Sequence, residues 1–363
     1  MNTTKISLPI QYWDNQDIIE LFPKDGNNRT IRYREFQGVQ FTGLSYNYPL
    51  NLLYSQNKLY LPLIEQFMSL GRGTIYEDDM FYSGELFEIK RKVSNPVFYF
   101  VYNTVNYYHF IYDTLPYLVT FFEKKKQYPN LKLLMDVDNT FPFVWDCLKL
   151  LGIDKTDIEP LDFYSLYSTV IVGSSLTHDN LSNFPPHNKA LDLIQSMEGT
   201  SSCLKRVYIS RRTWTQNKNQ NIGTDYTERR KCVNEDEVFN LFQKYGFVEV
   251  FCENLSMKDK IGVFQNAEVI AGAIGGGMCN CLFSPPKTRV ISINSPGFFD
   301  VNKRFEFSMN HTQLHHFNDC EFIGEVKKSI DGDSALSISG GINSPWKVNL
   351  NTLETFLDDV LYG

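Results

Sequence analysis

A short apolar segment that runs into three consecutive glycines restricts the fold of this sequence more than any other feature. Residues 268–273 read Glu-Val-Ile-Ala-Gly-Ala, and Gly275, Gly276 and Gly277 follow after one more residue. An apolar run of this length is typical of a buried parallel strand, and the glycines predict a tight turn into a helix near Met278. Without Cβ atoms, several backbone N–H groups can point in one direction, and the helix start adds more. The stretch predicts either a cradle for an anion such as a phosphate or a tight turn without a ligand.

The spacing of these glycines excludes two familiar nucleotide-binding motifs. A P-loop ends in Gly-Lys-Ser/Thr, whereas the residues after Gly277 are Met-Cys-Asn. The dinucleotide fingerprint Gly-x-Gly-x-x-Gly is not supplied by Gly272-x-x-Gly275. The turn is therefore assigned to neither motif.

Strands and helices alternate on both sides of the glycine turn. Predicted strands at residues 205–212, 247–252, 268–273 and 289–293 are separated by helices capped at Asn234, with Glu237 completing a capping box, and at Ser256. This β-α-β-α-β order predicts a Rossmann-like domain with a parallel sheet. Because the carboxyl ends of parallel strands share one edge, Arg211 and Arg212 are expected there together with the glycine turn.

The residues before this domain also alternate between strands and helices. Predicted strands at 95–102, 131–135 and 168–172 indicate a first α/β domain, and residues 1–95 carry no assignable chemistry. A polar run at 199–202 is the predicted linker, so the domains are residues 1–198 and 199–345. Residues 346–363 end in an amphipathic helix with a capping box at 351–354, and we expect this helix to pack back on the first domain.

A histidine and an aspartate stand four residues apart in the first domain. If the segment from Tyr107 is helical, His109 and Asp113 share a face and their side chains are neighbours. A carboxylate beside an imidazole orients it and raises its basicity, as a general base requires. The alternative is a hydrogen-bonded core histidine with Asp113 as its structural partner.

Two groups of acidic and histidine residues elsewhere in the sequence are candidate metal ligands. Asp136-Val-Asp138 follows a predicted strand, and such a pair can hold Mn²⁺ or Mg²⁺, although acidic residues at strand ends are also ordinary turn formers. His311, His315 and His316 lack an accompanying carboxylate or cysteine pattern, so we predict no metal site there.

Composition narrows the class of protein. The net charge of −7 and the pI near 5.5 argue against a nucleic-acid partner. Seven cysteines without a CxxC pair predict reduced thiols. The sequence has no apolar run near 18 residues and no signal-peptide pattern at its start, so a cytoplasmic enzyme without a transmembrane segment is the expectation.

Five short motifs follow one another between about residues 95 and 295. They are His109-Phe-x-x-Asp113-Thr-Leu-Pro116, Tyr208-Ile-Ser-Arg211, Arg230-x-x-x-Asn234-Glu235, Gly246-Phe247 with Glu253-x-Leu255-Ser256, and Ala267 through the glycine turn to Asn280. Their order resembles glycosyltransferase family 61. Two positions depart from that family's pattern: Ile274 replaces the histidine of its His-Gly-Ala-Gly turn, and Ser292 replaces an acidic residue.

The resemblance implies a fold and a reaction. It implies a GT-B-like α/β fold of two Rossmann-like domains facing a central cleft, and an inverting transfer from a UDP-sugar, with xylose or N-acetylglucosamine as the sugar. The acceptor would be a glycan or a protein-linked glycan, and neither a metal nor another cofactor would be essential.

Glycosyl transfer needs a deprotonated acceptor hydroxyl and a stabilised diphosphate leaving group. Under the resemblance, His109 and Asp113 supply the base from across the cleft, with His109 taking the proton. The donor-binding residues would be those of the strand end and the glycine turn: Arg211, Arg212, Gly275, Gly276, Gly277, Met278, Cys279 and Asn280.

Two other functions remain open on the sequence alone. One is a metal-dependent glycosyltransferase that uses Asp136 and Asp138. The other is a catalytically inactive protein that binds a nucleotide sugar or serves in assembly, because the altered glycine turn could mark a lost activity.

Overall fold

The computed structural model describes residues 2–11, 18–42, 52–61, 81–100, 104–138, 140–177, 185–212, 230–298, 303–323, 326–327, 337–338 and 344–363. Contacts within the chain divide it into two compact units, Met1–Ser196 and Met197–Gly363. Both units combine strands and helices, which confirms the predicted α/β class. Within the described ranges, no helix is long and apolar enough to cross a membrane.

The described part of the first unit contains eleven strands in one mixed sheet. They are β1 (Thr3–Gln11), β2 (Ile19–Phe22), β3 (Ile31–Thr42), β4 (Leu52–Ser55), β5 (Lys58–Tyr60), β6 (Phe81–Phe87), β7 (Arg91–Val93), β8 (Val97–Tyr99), β9 (Lys132–Met135), β10 (Ile158–Pro160) and β11 (Ser165–Gly173). The order is β10-β9-β8-β11-β3-β4-β5-β1-β6, with β2 on β3 and β7 on β11.

The first sheet has two parts of different character. Strands β10, β9, β8 and β11 are mutually parallel, as the Rossmann-like prediction requires. Strand β3 is antiparallel to β11, and most pairings beyond it are antiparallel as well. The described strands of residues 1–87 therefore differ from the parallel sheet that a Rossmann-like domain requires, because most of their pairings are antiparallel.

The helices of the first unit follow the parallel strands. The helical segment α1 covers residues 107–127, α2 is Pro142–Leu150, and α3 is Asn188–Gln195. Proline at the first position of α2 has no N–H to lose, and Gly152, with a positive φ of 75°, follows its end. Val144 and Leu148, one helical turn apart, are buried on its inner face.

The second unit is built on a five-stranded parallel sheet, within the part of the chain described. Its strands are β12 (Arg206–Ile209), β13 (Val248–Val250), β14 (Val269–Ala273), β15 (Arg289–Ile293) and β16 (Gln313–Phe317), in the order β13-β12-β14-β15-β16. Helices α4 (Glu235–Lys244) and α5 (Met257–Asn266) connect the first three, and α6 (Arg304–Phe307) precedes β16. This is the parallel alternation that the sequence predicts.

Short antiparallel pairs and a terminal helix complete the second unit. Strand β17 (Cys320–Phe322) pairs with β20 (Trp346–Val348), β18 (Val326–Lys327) pairs with β19 (Ser337–Ile338), and α7 is Leu350–Tyr362. The predicted capping boxes differ from the observed caps. The Asn234 side chain bonds to the backbone of Val348 instead of its own helix, and Asn349, not Asn351, caps α7.

The terminal helix α7 packs on the second unit. Its apolar residues Leu353, Leu357 and Leu361 are buried in one cluster with residues of α4 and β16, among them Phe242 and Phe317. The prediction that this helix returns to the first domain is therefore wrong. An amphipathic face shows that a helix is buried, but it does not identify the surface that covers it.

Candidate functional site

Two adjacent parallel strands of the first unit deliver polar residues to one edge of the sheet. Strands β8 and β11 pair through Val170 with Val97 and Ile171 with Phe98. The chain beyond β8 forms α1, which carries His109 and Asp113, and the chain beyond β11 leads to Thr177. Because parallel strands end on the same side, residues 64 positions apart in sequence meet there.

The predicted contact between His109 and Asp113 is present. The Nδ1 atom of His109 lies 2.7 Å from Oδ2 of Asp113, and the hydroxyl of Thr177 donates to the other carboxylate oxygen, Oδ1, over 2.9 Å. Asp113 and Thr177 are buried, whereas 20% of the His109 side chain is exposed. The Nδ1 atom of His109 thus contacts a buried carboxylate, while part of the same side chain remains accessible.

The local helix geometry holds this pair in place. Asn106 accepts a hydrogen bond from the His109 N–H, which caps the first turn, and a π-helical stretch, Phe110–Thr114, contains Asp113. Such stretches are frequently found at functional sites. The rings of Tyr108 and Tyr112 stack 5.5 Å apart, and Tyr108 also contacts the His109 ring. The imidazole therefore has an aromatic neighbour on its own helix.

The contact fixes the protonation pattern of the imidazole. A carboxylate only accepts hydrogen bonds, so Nδ1 of His109 carries the proton and Nε2 keeps its lone pair. Once Nε2 takes up a proton, the buried carboxylate of Asp113 stabilises the positive ring. The arrangement is chemically suited to accept a proton from a bound hydroxyl, and sequence spacing alone predicts the His109–Asp113 part of it.

The second unit has a topological switch point between β12 and β14. From β12 the chain passes outward to β13 and then returns to the other side of β12 to form β14. Ligands of open parallel sheets bind at the carboxyl ends of the two strands that flank such a point. The residues at this place are Ser210 and Arg211 after β12 and the glycine turn after β14.

Arg211 lies against the glycine turn, as predicted. Its Nη1 atom donates to the carbonyl oxygen of Ile274 over 3.4 Å, and a Cβ on Gly275 would lie 2.9 Å from the same atom. Burial lowers the pKa of the Arg211 guanidinium, which still remains cationic near neutral pH because arginine deprotonates only under strongly basic conditions. The site therefore has a positive charge at the first glycine.

The three glycines have different surroundings. A side chain at Gly277 would meet Ile209 at 2.9 Å, and one at Gly275 would meet Arg211. One at Gly276 would meet no atom of the described residues within 4 Å. Within the described part of the chain, the N–H groups of Gly275, Gly276 and Gly277 form no hydrogen bond. Gly276 therefore borders open space beside N–H groups that a ligand can use.

The residues after the glycines mainly support the turn. The helix predicted near Met278 is a six-residue 3₁₀ helix, Met278–Phe283, so its dipole adds little. The Met278 N–H bonds to the Gly275 carbonyl, and the buried Asn280 side chain donates to the Gly277 carbonyl over 2.8 Å. The side chains of Met278, Cys279 and Asn280 are all buried, so these residues support the turn from the protein interior.

Arg212 is held away from the glycine turn by acidic partners. Its Nε and Nη2 atoms bind both carboxylate oxygens of Glu249 at 2.8 and 2.7 Å, and Nη1 binds Asp236 at 2.6 Å. These hydrogen bonds raise the pKa of Arg212. Arg211 thus contacts the turn at the Ile274 carbonyl, whereas these contacts of Arg212 are with α4 and β13.

Glu235 is a buried carboxylate at this site to which sequence reasoning assigned no role. Its Oε1 atom accepts from the Arg211 N–H at 2.8 Å and from the Tyr208 hydroxyl at 3.2 Å. Oε2 is buried and has no hydrogen-bond partner in the described part of the chain. Burial raises the pKa of Glu235, against the hydrogen bond from Arg211. The sequence feature that points to Glu235 is its position in the motif Arg230-x-x-x-Asn234-Glu235.

The cysteines are all free thiols, which agrees with the prediction of reduced cysteines. Cys252, Cys279 and Cys281 are buried in the second unit. Burial raises the pKa of Cys252 to about 12, so its thiol is not a nucleophile near neutral pH.

The candidate metal ligands do not form a cluster. Among the described residues, no group of three or more His, Cys, Asp or Glu side chains is placed to share an ion. Asp136 and Asp138 follow β9, and His315 and His316 lie in β16. The His311 Nε2 atom contacts the carbonyl of Ser284 at 3.1 Å.

The chain is similar to one known family of enzymes over its central half. The family model described as Glycosyltransferase 61 matches residues 107–291, which include His109, Asp113, Arg211 and the glycine turn. No curated protein matches the chain. Because the family model covers half of the 363-residue sequence, the protein belongs to the glycosyltransferase 61 family.

Proposed function

We propose that this glycosyltransferase is an inverting enzyme that moves xylose or N-acetylglucosamine from a UDP-sugar to a glycan or protein-linked glycan. The proposal includes a GT-B arrangement and no essential metal. The observation that carries it is the contact between His109 Nδ1 and the buried carboxylate of Asp113, which leaves Nε2 as a base. Inversion by a single displacement needs one base and no covalent nucleophile, and this pair meets that need.

The reaction assigns a separate task to each unit. The acceptor hydroxyl gives its proton to Nε2 of His109 while its oxygen bonds to the anomeric carbon of the donor. The bond from that carbon to the diphosphate breaks, and its electron pair leaves with UDP. Asp113 stabilises the imidazolium that forms, and the acceptor oxygen ends on the face opposite the departed phosphate.

The glycine turn and Arg211 suit the leaving group. A departing diphosphate gains negative charge, which N–H groups and a fixed cation stabilise more strongly than they stabilise the bound donor. The N–H groups of Gly275, Gly276 and Gly277, together with the Arg211 guanidinium, supply such donors. In this chain the replacement of the family histidine by Ile274 leaves the backbone intact, since the Ile274 N–H bonds to the Ile293 carbonyl.

The proposal is tested by measuring UDP release from a panel of UDP-sugars, with and without glycan acceptors, and by assigning the product anomer by NMR. We expect release that depends on the acceptor, and a product with inverted configuration. A product with retained configuration would contradict the displacement mechanism. Tight UDP-sugar binding without transfer to any acceptor would favour the inactive binding protein.

The same assay in EDTA tests the metal-dependent alternative. We expect transfer to continue in the chelator, and the double variant Asp136→Asn, Asp138→Asn to retain most activity. Loss of activity in EDTA that Mn²⁺ restores would instead assign the diphosphate to a metal held by those aspartates.

A further inference from the structure

We propose that Thr177 is a positioning residue for the His109–Asp113 pair, and that Arg29 holds Thr177 in place. This inference rests on the proposed role of His109 as the base. Thr177 belongs to none of the motifs that relate the chain to its family and lies 64 residues from Asp113 in sequence. The fold alone brings the two together, through the parallel neighbours β8 and β11.

The hydroxyl of Thr177 donates a hydrogen bond to the buried carboxylate of Asp113. Asp113 is fully buried, and its two oxygens contact different partners: Oδ2 contacts His109 and Oδ1 accepts from Thr177 over 2.9 Å. Hydrogen bonds to an ionised carboxylate favour the charged form. They also stop the carboxylate from rotating, so that Oδ2 remains directed at Nδ1 of His109.

Thr177 is itself held from two sides. Its N–H donates to the Ser175 hydroxyl over 3.2 Å, and its carbonyl accepts from Nη2 of Arg29 over 2.9 Å. The buried Arg29 side chain also donates from Nε to the Pro185 carbonyl, and its N–H donates to Asp25. A run of contacts therefore leads from Arg29 through Thr177 and Asp113 to the imidazole of His109.

The removal of the hydroxyl predicts a specific change at the imidazole. Without the Thr177 donor, the Asp113 carboxylate loses one of the hydrogen bonds that orient it, so its contact with Nδ1 of His109 becomes less fixed. The fraction of His109 in the tautomer that leaves Nε2 unprotonated then falls. Catalysis decreases with that fraction, whereas donor affinity does not, because Thr177 and the glycine turn belong to separate units.

The test compares Thr177→Val, which removes the hydroxyl at similar volume, with Thr177→Ser, which retains it. Thr120→Val is the matched control, because Thr120 is buried in the same unit and its hydroxyl has no hydrogen-bond partner among the described residues. We expect Thr177→Val to lower kcat about 10- to 100-fold, the loss that corresponds to a hydrogen bond to a charged group. The serine variant and the control should keep wild-type kcat, and all three should keep the KM for the donor.

The imidazole ¹⁵N spectrum gives a readout that is independent of activity. Comparison with His109→Ala assigns the His109 signals. We expect the wild type to show the tautomer protonated at Nδ1, and Thr177→Val to show a mixture of tautomers. If Thr177→Val does not fold, Thr177→Ala removes the same hydroxyl with less steric change.

An unchanged tautomer and unchanged kcat in the folded variant would overturn the inference. If His109→Ala abolishes transfer while Thr177→Val has no effect, only the role of Thr177 fails. If His109→Ala retains transfer, the base assignment fails instead, and the spectrum still shows whether Thr177 controls the tautomer of His109.

Discussion

The Nη1 atom of Arg211 lies 3.4 Å from the carbonyl oxygen of Ile274, so the guanidinium is placed over the first glycine of the turn. Its neighbour Arg212 is held by two carboxylates on the opposite side of the strand. The two adjacent arginines therefore have different tasks. The first offers its charge to a ligand, and the second joins β12 to α4 and β13.

This difference predicts opposite effects for two alanine variants. Arg211→Ala should weaken binding of UDP by about 1.5 to 3 kcal/mol, the range for a hydrogen bond to a charged group. Arg212→Ala should instead lower the melting temperature, because Glu249 loses its bidentate partner, and leave UDP affinity close to wild type. Calorimetric titration with UDP and thermal unfolding separate the two effects. Equal affinity losses in both variants would show that the assignment of Arg211 alone is wrong.

The glycine turn predicts that one position is open to a side chain while another is not. Gly276→Ala and Gly276→Val should leave the melting temperature unchanged and raise the KM for the UDP-sugar. Among the described residues, nothing lies within 4 Å of a Cβ at Gly276, and the neighbouring glycine N–H groups form no hydrogen bond. Gly277→Ala should lower the melting temperature, because its Cβ meets Ile209. A wild-type KM in both Gly276 variants would show that the donor does not bind at this turn.

The buried carboxylate of Glu235 predicts a pH effect on stability. Burial raises the pKa of Glu235 in the folded protein above its ordinary value of 4.5, so the unfolded chain releases this proton first. The contribution to stability is therefore present at pH below 4.5 and is lost as pH rises through the folded pKa. Glu235→Gln has no such proton. We expect the wild type to lose more stability than this variant as pH rises from about 4 to 7 in thermal unfolding. Identical pH dependences would contradict the placement of Glu235.

The sequence predicts those contacts of the site that form between residues close together in the chain. The i, i+4 spacing of His109 and Asp113 predicts their contact, since a helical turn brings such residues together. The glycines after an apolar strand predict the turn, and strand polarity predicts the position of Arg211 at the same edge.

Contacts between distant segments could not be predicted in this way. Thr177 meets Asp113 only because β8 and β11 are neighbours, and sequence periodicity does not specify which strands pair. The sequence predicts the apolar face of α7 but not the surface that covers it. Any apolar surface can cover such a face, and here α4 and β16 provide it.

The central claim is that His109, held by Asp113, takes the acceptor proton. The most direct test is kcat for His109→Ala and Asp113→Asn, measured beside UDP affinity from calorimetry on the same preparations. A missing general base should lower kcat at least ~100-fold, while UDP affinity stays near that of the wild type, because the proposal places the nucleotide at the glycine turn and Arg211. A kcat near wild type, or a loss of UDP affinity in step with activity, would show that the pair is structural and that the base lies elsewhere.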